Sequence, residues 1–198
     1  MNKAEFRKLA LRQRNEQPDK DGISQQIRRK LSQLFVFKNA SSILFYVDVR
    51  AEVRTTPLLQ KALSTGKSIG VPFCAGELLQ LFQLQNFDEL ETQSFGILEP
   101  NEQVRSENNR EKNFTDFDLA LIPGVAFGRD GSRLGNGHGY YDRLLATHGD
   151  HRRFGRPILV GLAYESQTFD TIPMDDHDIR VDLIVTEKSI YGPIEKFR

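Results

Sequence analysis

Short, continuously apolar runs alternate along this chain with segments of helical periodicity, and this alternation constrains the fold more than any other feature. The predicted strands are residues 42–47, 68–73, 78–84, 118–122, 158–164 and 182–186. Strands that lack polar alternation are buried on both faces, which is typical of parallel sheets covered by helices. We therefore expect an α/β fold with a mostly parallel open sheet and helices on both faces. The 198 residues fit a single three-layer domain over residues 1–198.

Two amphipathic helices are predicted before the first strand, at residues 3–15 and 23–35, with Ser24 as a possible N-cap of the second. Residues 1–40 are expected to pack on the α/β body. Further helices are predicted at 56–63 and 140–147. Residues 101–113 contain one large apolar side chain, Val104, and are predicted to form a solvated loop.

The charge balance excludes several classes of protein. Lys and Arg number 27, Asp and Glu also number 27, and this zero net charge argues against a dedicated nucleic-acid or membrane-surface protein. The single cysteine, Cys74, excludes a disulfide framework within the chain and is expected to be a buried, inert thiol. The charged N-terminus and the lack of a long apolar run indicate a soluble, cytoplasmic protein.

The zero net charge conceals an uneven distribution. Residues 1–40 carry ten cations and four anions, an excess of +6, so the other 158 residues carry 17 against 23, or −6. One interpretation is a set of solvated helix faces. The other is that some of these cations bind an anionic ligand.

The segment 121–144 joins a predicted strand to a predicted helix and contains most of the functional information. Its glycines are Gly124, Gly128, Gly131, Gly135, Gly137 and Gly139. Glycines between the carboxyl end of a strand and a helix N-terminus let the backbone approach a ligand, and the free amides there favour phosphate. The spacing fits neither the P-loop nor the dinucleotide fingerprint. The interleaved side chains strengthen the prediction, because Arg133 offers a fork for phosphate and Asp142 is either a helix-dipole partner or a magnesium ligand.

These residues carry a resemblance to a known family. A strand ending in Pro-Gly-x-x-Phe, followed at residues 131–142 by Gly-x-Arg-Leu-Gly-x-Gly-x-Gly-Tyr-Tyr-Asp, resembles the signature of the 5-formyltetrahydrofolate cyclo-ligases, or methenyltetrahydrofolate synthetases. The Lys-x-x-x-Arg at residues 3–7, the segment 46–55 with Glu52, and the block 173–182 also resemble that family. The resemblance extends from residue 3 to about residue 187.

The resemblance implies an enzyme, a ligase of one-carbon folate metabolism, with ATP as co-substrate and Mg²⁺ as cofactor. It implies conversion of 5-formyltetrahydrofolate to 5,10-methenyltetrahydrofolate with release of ADP and phosphate. The implied ATP-binding residues are Lys3, Arg7, Arg133, Leu134, Gly135, Asn136, Gly137, His138, Gly139, Tyr140 and Tyr141, of which Lys3, Arg7 and Arg133 act in catalysis. The implied folate-binding residues are Val47, Glu52, Asn136, Gly137, His138, Gly139 and Tyr140. The implied magnesium ligands are Asp142 and Asp178.

The implied chemistry suits these residue types. The formyl oxygen attacks the γ-phosphate and nitrogen 10 of the same folate then captures the activated carbon, so no protein nucleophile is required. Catalysis is positioning and charge stabilisation, which cations and a metal supply. The expected partners are small molecules, a nucleic-acid partner is not favoured, no membrane partner is expected, and a monomer is expected. One departure from the family pattern is Gly128, where aspartate is common, and this leaves the geometry of the turn near Asp130 open.

Several alternatives stay open on the sequence alone. The main one is a non-catalytic, nucleotide-binding regulatory protein that uses its basic N-terminal segment on RNA. A sugar-phosphate or CoA-ester enzyme on a related scaffold rests on fold analogy alone. The acidic residues Asp175, Asp176 and Asp178 are also compatible with a plain turn, and His148 with His151 is better explained as a polar loop than as a metal site.

Overall fold

The fold is built on a central sheet of eight strands. This computed structural model describes residues 1–93, 96–106, 110–146, 155–175, 178–193 and 195. The strands are β1 Ser42–Leu44, β2 Ser68–Ala75, β3 Leu78–Leu84, β4 Leu90–Thr92, β5 Leu98–Pro100, β6 Glu111–Lys112, β7 Leu119–Ile122, β8 Ala126–Gly128, β9 Arg133–Leu134, β10 Ile158–Leu162, β11 Thr168–Phe169, β12 Leu183–Val185 and β13 Ile190–Tyr191. The helices are α1 Lys3–Glu16, α2 Lys20–Gln33, α3 Phe35–Asn39, α4 Thr56–Leu63, α5 Glu102–Arg105 and α6 Tyr140–Ala146.

The strand order in the central sheet is β13-β12-β10-β7-β1-β2-β3-β6. The five strands from β12 to β2 are mutually parallel, whereas β13, β3 and β6 are added antiparallel at the edges. This confirms the predicted mostly parallel α/β sheet.

Side chains of β7 show why both faces are covered. Leu119 and Leu121 belong to a core cluster with side chains of α2 and α4, whereas Ala120 and Ile122 belong to a second cluster with Leu144 of α6. Successive side chains of a strand point to opposite faces, so four consecutive apolar residues require helices on both sides. The predicted helices on both faces are therefore confirmed.

The chain reverses its direction of travel across the sheet between β1 and β7. From β1 it passes through α4 to β2 on one side, and it later returns to β7 on the other side of β1 before continuing to β10 and β12. Ligands of open α/β sheets bind outside the carboxyl ends of the strands at such a switch point. The segments that follow β1 and β7 therefore frame the expected cleft.

The N-terminal helix packs on a second, smaller sheet. Strands β11, β8 and β9 form this three-stranded sheet from the glycine-rich segment and the chain after β10. Ala10 of α1 is fully buried against Val125 and Leu134, and the ring of Phe6 meets Phe169 edge to face at 5.2 Å. A capping box of Asn2 and Glu5 begins α1. The glycine-rich segment is thus the platform on which α1 lies.

Three local predictions are wrong. Residues 101–113 are not a plain loop, since they include α5 and the edge strand β6, with residues 107–109 outside the described part. Asp19, not Ser24, caps α2, because an aspartate in the left-handed conformation brings its carboxylate to the amide of Gly22. Cys74 is exposed, since alternate side chains of β2 face opposite sides and its neighbour Phe73 takes the buried side.

Candidate active site

A narrow crevice lies at the switch point of the sheet. Its walls are Tyr46, Glu52 and Val53 after β1, Pro123 and Gly124 after β7, Leu162 and Gln167 at and after β10, and Arg14 of α1. Three adjacent parallel strands therefore supply one end of the crevice and α1 closes it. The position agrees with the rule for ligand sites in open α/β sheets.

Three cations of α1 share one face of the helix. Lys3, Arg7 and Arg14 are separated by four and seven residues, and at 3.6 residues per turn these spacings return to nearly the same direction. Ala10, which is fully buried, lies in the same stripe. The packing of Ala10 on the small sheet therefore turns all three cations toward the cleft side of the protein.

Lys3 and Arg7 contact segments that are distant in sequence. The Lys3 ammonium donates to Asp175 Oδ2 at 2.6 Å and also to Asp178, and Arg7 Nε donates to the carbonyl of Gly135 at 3.0 Å. Partial burial opposes the charge on Lys3, but the two carboxylates outweigh it and raise the pKa of Lys3. The structure thus brings together Lys3, Arg7, Gly135 and Asp178.

Residues 135–139, called the glycine loop, meet α1 through their backbone, since Arg7 contacts the carbonyl of Gly135. Asn136, Gly137 and His138 are exposed. Gly137 has φ +101°, a conformation that favours glycine, whereas a Cβ there would meet Arg7 Nε at an ordinary contact distance of 3.8 Å, so glycine is needed for the turn and not for the approach of the arginine. Leu134, by contrast, is buried in the core cluster below α1, and its carbonyl accepts from the amide of Val125 at 2.7 Å. Its side chain therefore packs and does not face a ligand.

Gly128 departs from the family pattern for a local steric reason. A Cβ at Gly128 would lie 2.0 Å from Ser132 Oγ and 2.5 Å from Asp130 Oδ1. Asp130 instead accepts from the amide of Ser132 at 3.1 Å and pairs with Arg180. Asp130 therefore closes the turn between β8 and β9, and a side chain at residue 128 would have to displace the side chains of Ser132 and Asp130.

Arg133 and Asp142 form an ion pair at the beginning of α6. The Arg133 side chain is only 2% exposed and that of Asp142 is 30% exposed, so the carboxylate lies between the buried guanidinium and solvent. Arg133 also donates to the carbonyl of Pro123 at 3.2 Å. Burial lowers the pKa of Arg133, while Asp142, Tyr141 and Asp178 act against this effect. Of these groups, Asp142 is the one that pairs directly with the arginine.

The oxygen donors present fit a magnesium ion. Asp142 and Asp178 supply hard carboxylate ligands, and Mg²⁺ is bound by one or two carboxylates together with phosphate oxygens and water. Asp178 pairs with the ammonium of Lys3 in this structure, so a magnesium ion would share or replace that cation at the carboxylate. No cluster of three or more metal-binding side chains occurs in the described ranges. With two carboxylates, the remaining ligands of such an ion would be phosphate oxygens and water.

The two tyrosines at the start of α6 have different environments. Tyr140 donates its hydroxyl to the carbonyl of Gly76 at 3.2 Å, and the Arg143 guanidinium lies 5.2 Å from the centre of its ring. Tyr141 is packed against the core, and burial, reinforced by Glu52, raises the pKa of its phenol while Arg133 opposes the rise. Tyr141 therefore stays protonated.

Val47 and Glu52 lie on the chain that follows β1, and both are 8% exposed. Glu52 Oε2 accepts from the amide of Val49 at 3.2 Å, and Glu52 Oε1 lies 3.6 Å from Arg14 Nη1. Asp48 braces this segment by accepting from the amides of Thr55 and Thr56 at 2.9 and 2.8 Å. Burial raises the pKa of Glu52, whereas Arg14 and the Val49 amide lower it. A buried carboxylate held in this way suits N–H donors of a ligand.

Sequence reasoning missed Arg14 as part of this site. The available signal was its spacing of seven residues from Arg7, which places both on one helix face.

The acidic residues after β11 were compatible with a plain turn on the sequence alone. Asp175 and Asp178 do form a turn, in which the Asp175 amide donates to Asp178 at 2.7 Å, and both also pair with Lys3. Asp176, His148 and His151 lie outside the described residues.

Most cations of the basic N-terminal segment are used within the protein. Seven of its ten have an acceptor or ion-pair partner here, namely Lys3, Arg7, Arg12, Arg14, Lys20, Arg28 and Lys30. Their acceptors include the backbone carbonyls of Arg54 and Glu187, to which Arg28 and Lys30 donate. The excess of +6 is therefore not an open basic surface. None of the helices in the described part of the chain has the length and apolar character needed to span a membrane.

Comparison with known proteins shows the family of this chain. The family model of the 5-formyltetrahydrofolate cyclo-ligases matches residues 2–187. A probable 5-formyltetrahydrofolate cyclo-ligase of Caenorhabditis elegans is 33% identical over 156 residues, covering 76% of this chain and 75% of that protein. A probable 5-formyltetrahydrofolate cyclo-ligase of Schizosaccharomyces pombe is 30% identical over 179 residues and 86% of each chain. The NMR structure of Aquifex aeolicus 5,10-methenyltetrahydrofolate synthetase superposes with a TM-score of 0.82 at 34% identity, covering 97% of this chain and 93% of that one.

The fold is that of an α/β protein with a crevice at the switch point of a mostly parallel sheet. The family match covers nearly the whole chain, including α1, the glycine loop and Asp178. The chain belongs to the 5-formyltetrahydrofolate cyclo-ligase family.

Proposed function

We propose that this protein is an ATP- and magnesium-dependent ligase that converts 5-formyltetrahydrofolate to 5,10-methenyltetrahydrofolate, releasing ADP and phosphate. One observation carries the proposal. The cations Lys3 and Arg7 of α1 meet Asp178 and the glycine loop at one end of a helix whose other end, at Arg14, meets the Glu52 crevice. A cationic, glycine-lined end beside a buried carboxylate suits a nucleotide and a reduced pterin placed next to each other.

The residues divide between the two substrates. Lys3, Arg7 and the backbone of residues 135–139 bind the ATP phosphates, and Tyr140 and Tyr141 flank the nucleotide. Glu52 accepts from N–H donors of the pterin, and Val47 packs against it. Arg133, buried behind Asp142, contributes positive charge at the transferring phosphoryl group and fixes the Asp142 carboxylate. Asp142 and Asp178 hold Mg²⁺, which neutralises charge on the phosphates when bound.

The reaction requires no nucleophile from the protein. The formyl oxygen attacks the γ-phosphorus, the bond from that phosphorus to ADP breaks, and the folate carries an iminium phosphate. Nitrogen 10 then attacks the same carbon and loses its proton, and the carbon–oxygen bond breaks to release phosphate. The chain's task is to hold both substrates in line and to exclude water, for which positioned cations and a buried crevice are suited.

The purified protein tests this proposal directly. With ATP, Mg²⁺ and 5-formyltetrahydrofolate, we expect the absorbance of the methenyl product to rise, and we expect no rise when ATP is omitted or Mg²⁺ is chelated. A folded protein that forms no methenyl chromophore from the active substrate isomer would contradict the proposal.

Replacement of Lys3 by glutamine is expected to raise the KM for ATP by about tenfold to a hundredfold, because a charge-assisted bond to phosphate is lost. The KM for the folate should change much less. Lys8→Gln is the matched control, since Lys8 is an exposed cation on the same helix. Equal effects of the two substitutions, or an equal rise in both KM values, would remove Lys3 from the ATP site.

The RNA-binding alternative is not favoured, because most of the cations on which it depends are engaged within the protein. We propose small molecules as the substrates, and a monomer in the cytoplasm stays a prediction.

Deletion of α1 distinguishes the proposed enzyme from the RNA-binding alternative. The enzyme should lose cyclisation, whereas an RNA-binding protein should lose salt-sensitive RNA binding.

A further inference from the structure

We propose that Arg14 is a positioning residue of the folate site, where its guanidinium holds the Glu52 carboxylate ionised and oriented toward the substrate. The inference rests on the proposed function, since it takes Glu52 as the group that binds the pterin. It adds to the site a third cation of α1, besides Lys3 and Arg7.

The geometry places Arg14 beside Glu52 in a nearly dry environment. The two residues are 5% and 8% exposed, and Arg14 Nη1 lies 3.6 Å from Glu52 Oε1. The other carboxylate oxygen, Oε2, accepts from the Val49 amide at 3.2 Å. Glu52 is therefore restrained on one oxygen by its own loop and attracted on the other by α1.

Arg14 is also incompletely satisfied by the fold. Its Nε and Nη1 atoms are buried without a hydrogen-bond partner in the described part of the chain, and the 3.6 Å approach to Glu52 is longer than a hydrogen bond. The nearby Gln167 is different, because its Oε1 accepts from the Tyr164 amide at 3.1 Å and its Nε2 donates to the Val125 carbonyl at 2.8 Å. A purely structural arginine would be expected to satisfy its N–H groups. A guanidinium in the crevice wall that has an ion-pair partner but two unfilled N–H groups instead indicates that the arrangement is completed when a ligand binds.

The charges around Glu52 explain why an arginine is needed there. Burial favours the neutral acid, and Asp48 in the same loop adds to that effect. Arg14 from α1 and Arg50 from the loop act against it, and the phenols of Tyr46 and Tyr141 face the carboxylate as neutral groups. A protonated Glu52 would lose the acceptor character that the pterin N–H groups require. The net pKa of Glu52 is raised by burial, and Arg14 is the larger of the two cations that limit this rise and so favour the ionised acceptor.

The helix also connects this role to the other substrate. Arg7 and Arg14 are seven residues apart, which is about 10 Å along α1. One rigid helix therefore holds Arg7 against the glycine loop and Arg14 against the folate carboxylate. The spacing of the two cations fixes the separation of the two halves of the cleft.

The test is the pH dependence of kcat/KM for 5-formyltetrahydrofolate at saturating ATP and Mg²⁺. In Arg14→Gln we expect the acid limb of the profile to move to higher pH by about one pH unit, because the carboxylate loses its opposite charge. The KM for the folate should rise while the KM for ATP stays near its wild-type value. Arg14→Lys, which keeps the charge, should restore most of the wild-type profile, and Arg12→Gln on the exposed face should leave it unmoved.

A double-variant cycle separates this role from a structural one. In a Glu52→Gln background, Arg14→Gln should cause no further loss in kcat/KM for the folate, because Arg14 acts through the carboxylate that is already gone. The double variant lacks both charges and therefore has no unpaired buried ion at this site. Its kcat/KM for the folate can be measured even if Arg14→Gln alone is unstable. An unmoved acid limb, or additive losses in the double variant, would overturn the inference. A wild-type protein with no cyclisation activity would instead contradict the proposed function.

Discussion

Replacement of Asp142 by asparagine is expected to lower kcat by about a hundredfold or more while the protein remains folded. Asparagine keeps an oxygen that accepts from Arg133, so the buried guanidinium retains a partner. It loses the negative charge that a hard cation requires. The loss should therefore appear in turnover, where the metal would offset charge on the transferring phosphoryl group.

Two further measurements make the Asp142 result specific. The Mg²⁺ concentration for half-maximal activity should rise in Asp142→Asn, and equilibrium binding of Mg²⁺ in the presence of a non-hydrolysable ATP analogue should weaken. Asp170→Asn is the matched control, because Asp170 is an exposed aspartate that pairs with Arg129 at the surface. Wild-type turnover and unchanged metal binding in Asp142→Asn would remove Asp142 from the metal site.

Replacement of Glu52 by glutamine is expected to lower kcat/KM for 5-formyltetrahydrofolate by about a hundredfold, because two N–H donors of the pterin face a neutral amide in a buried site. The effect should lie mainly in the KM for the folate. The KM for ATP should stay within about twofold of wild type, since Glu52 is assigned only to the folate.

The control for Glu52 is Glu91→Gln, which changes an exposed carboxylate on β4. Direct folate binding in the absence of ATP gives an independent measurement. A Glu52→Gln protein that binds the folate as tightly as wild type would show that the crevice is not the pterin site.

The regular parts of this fold could be predicted from sequence because their signals are local. The helix Thr56–Leu63 and the strand Leu78–Leu84 are observed with their predicted bounds, since a proline opens the one and an apolar run defines the other. The parallel sheet could be predicted because its strands are continuously apolar, which is typical of strands buried on both faces. The glycine-rich segment was located correctly, but its small sheet with β11 was not, because that pairing joins residues about forty positions apart.

The parts that sequence did not provide depend on contacts between distant residues. Arg14 resembles any other helix cation until α1 lies on the small sheet and brings it to Glu52. Arg133 was expected to face phosphate directly, and only the structure shows it buried behind Asp142. The Gly128 departure likewise became interpretable once Asp130 and Ser132 were seen to occupy the space that a side chain would need.

The central claim is that the cleft joins ATP and the folate directly, with the formyl oxygen as the nucleophile. The measurement that tests it most directly uses 5-formyltetrahydrofolate labelled with heavy oxygen in its formyl group, together with ATP, Mg²⁺ and the full chain. Mass analysis of the inorganic phosphate should find the label there, in proportion to the methenyl chromophore formed. Chromophore formation with unlabelled phosphate, or label released as water or formate, would contradict the account.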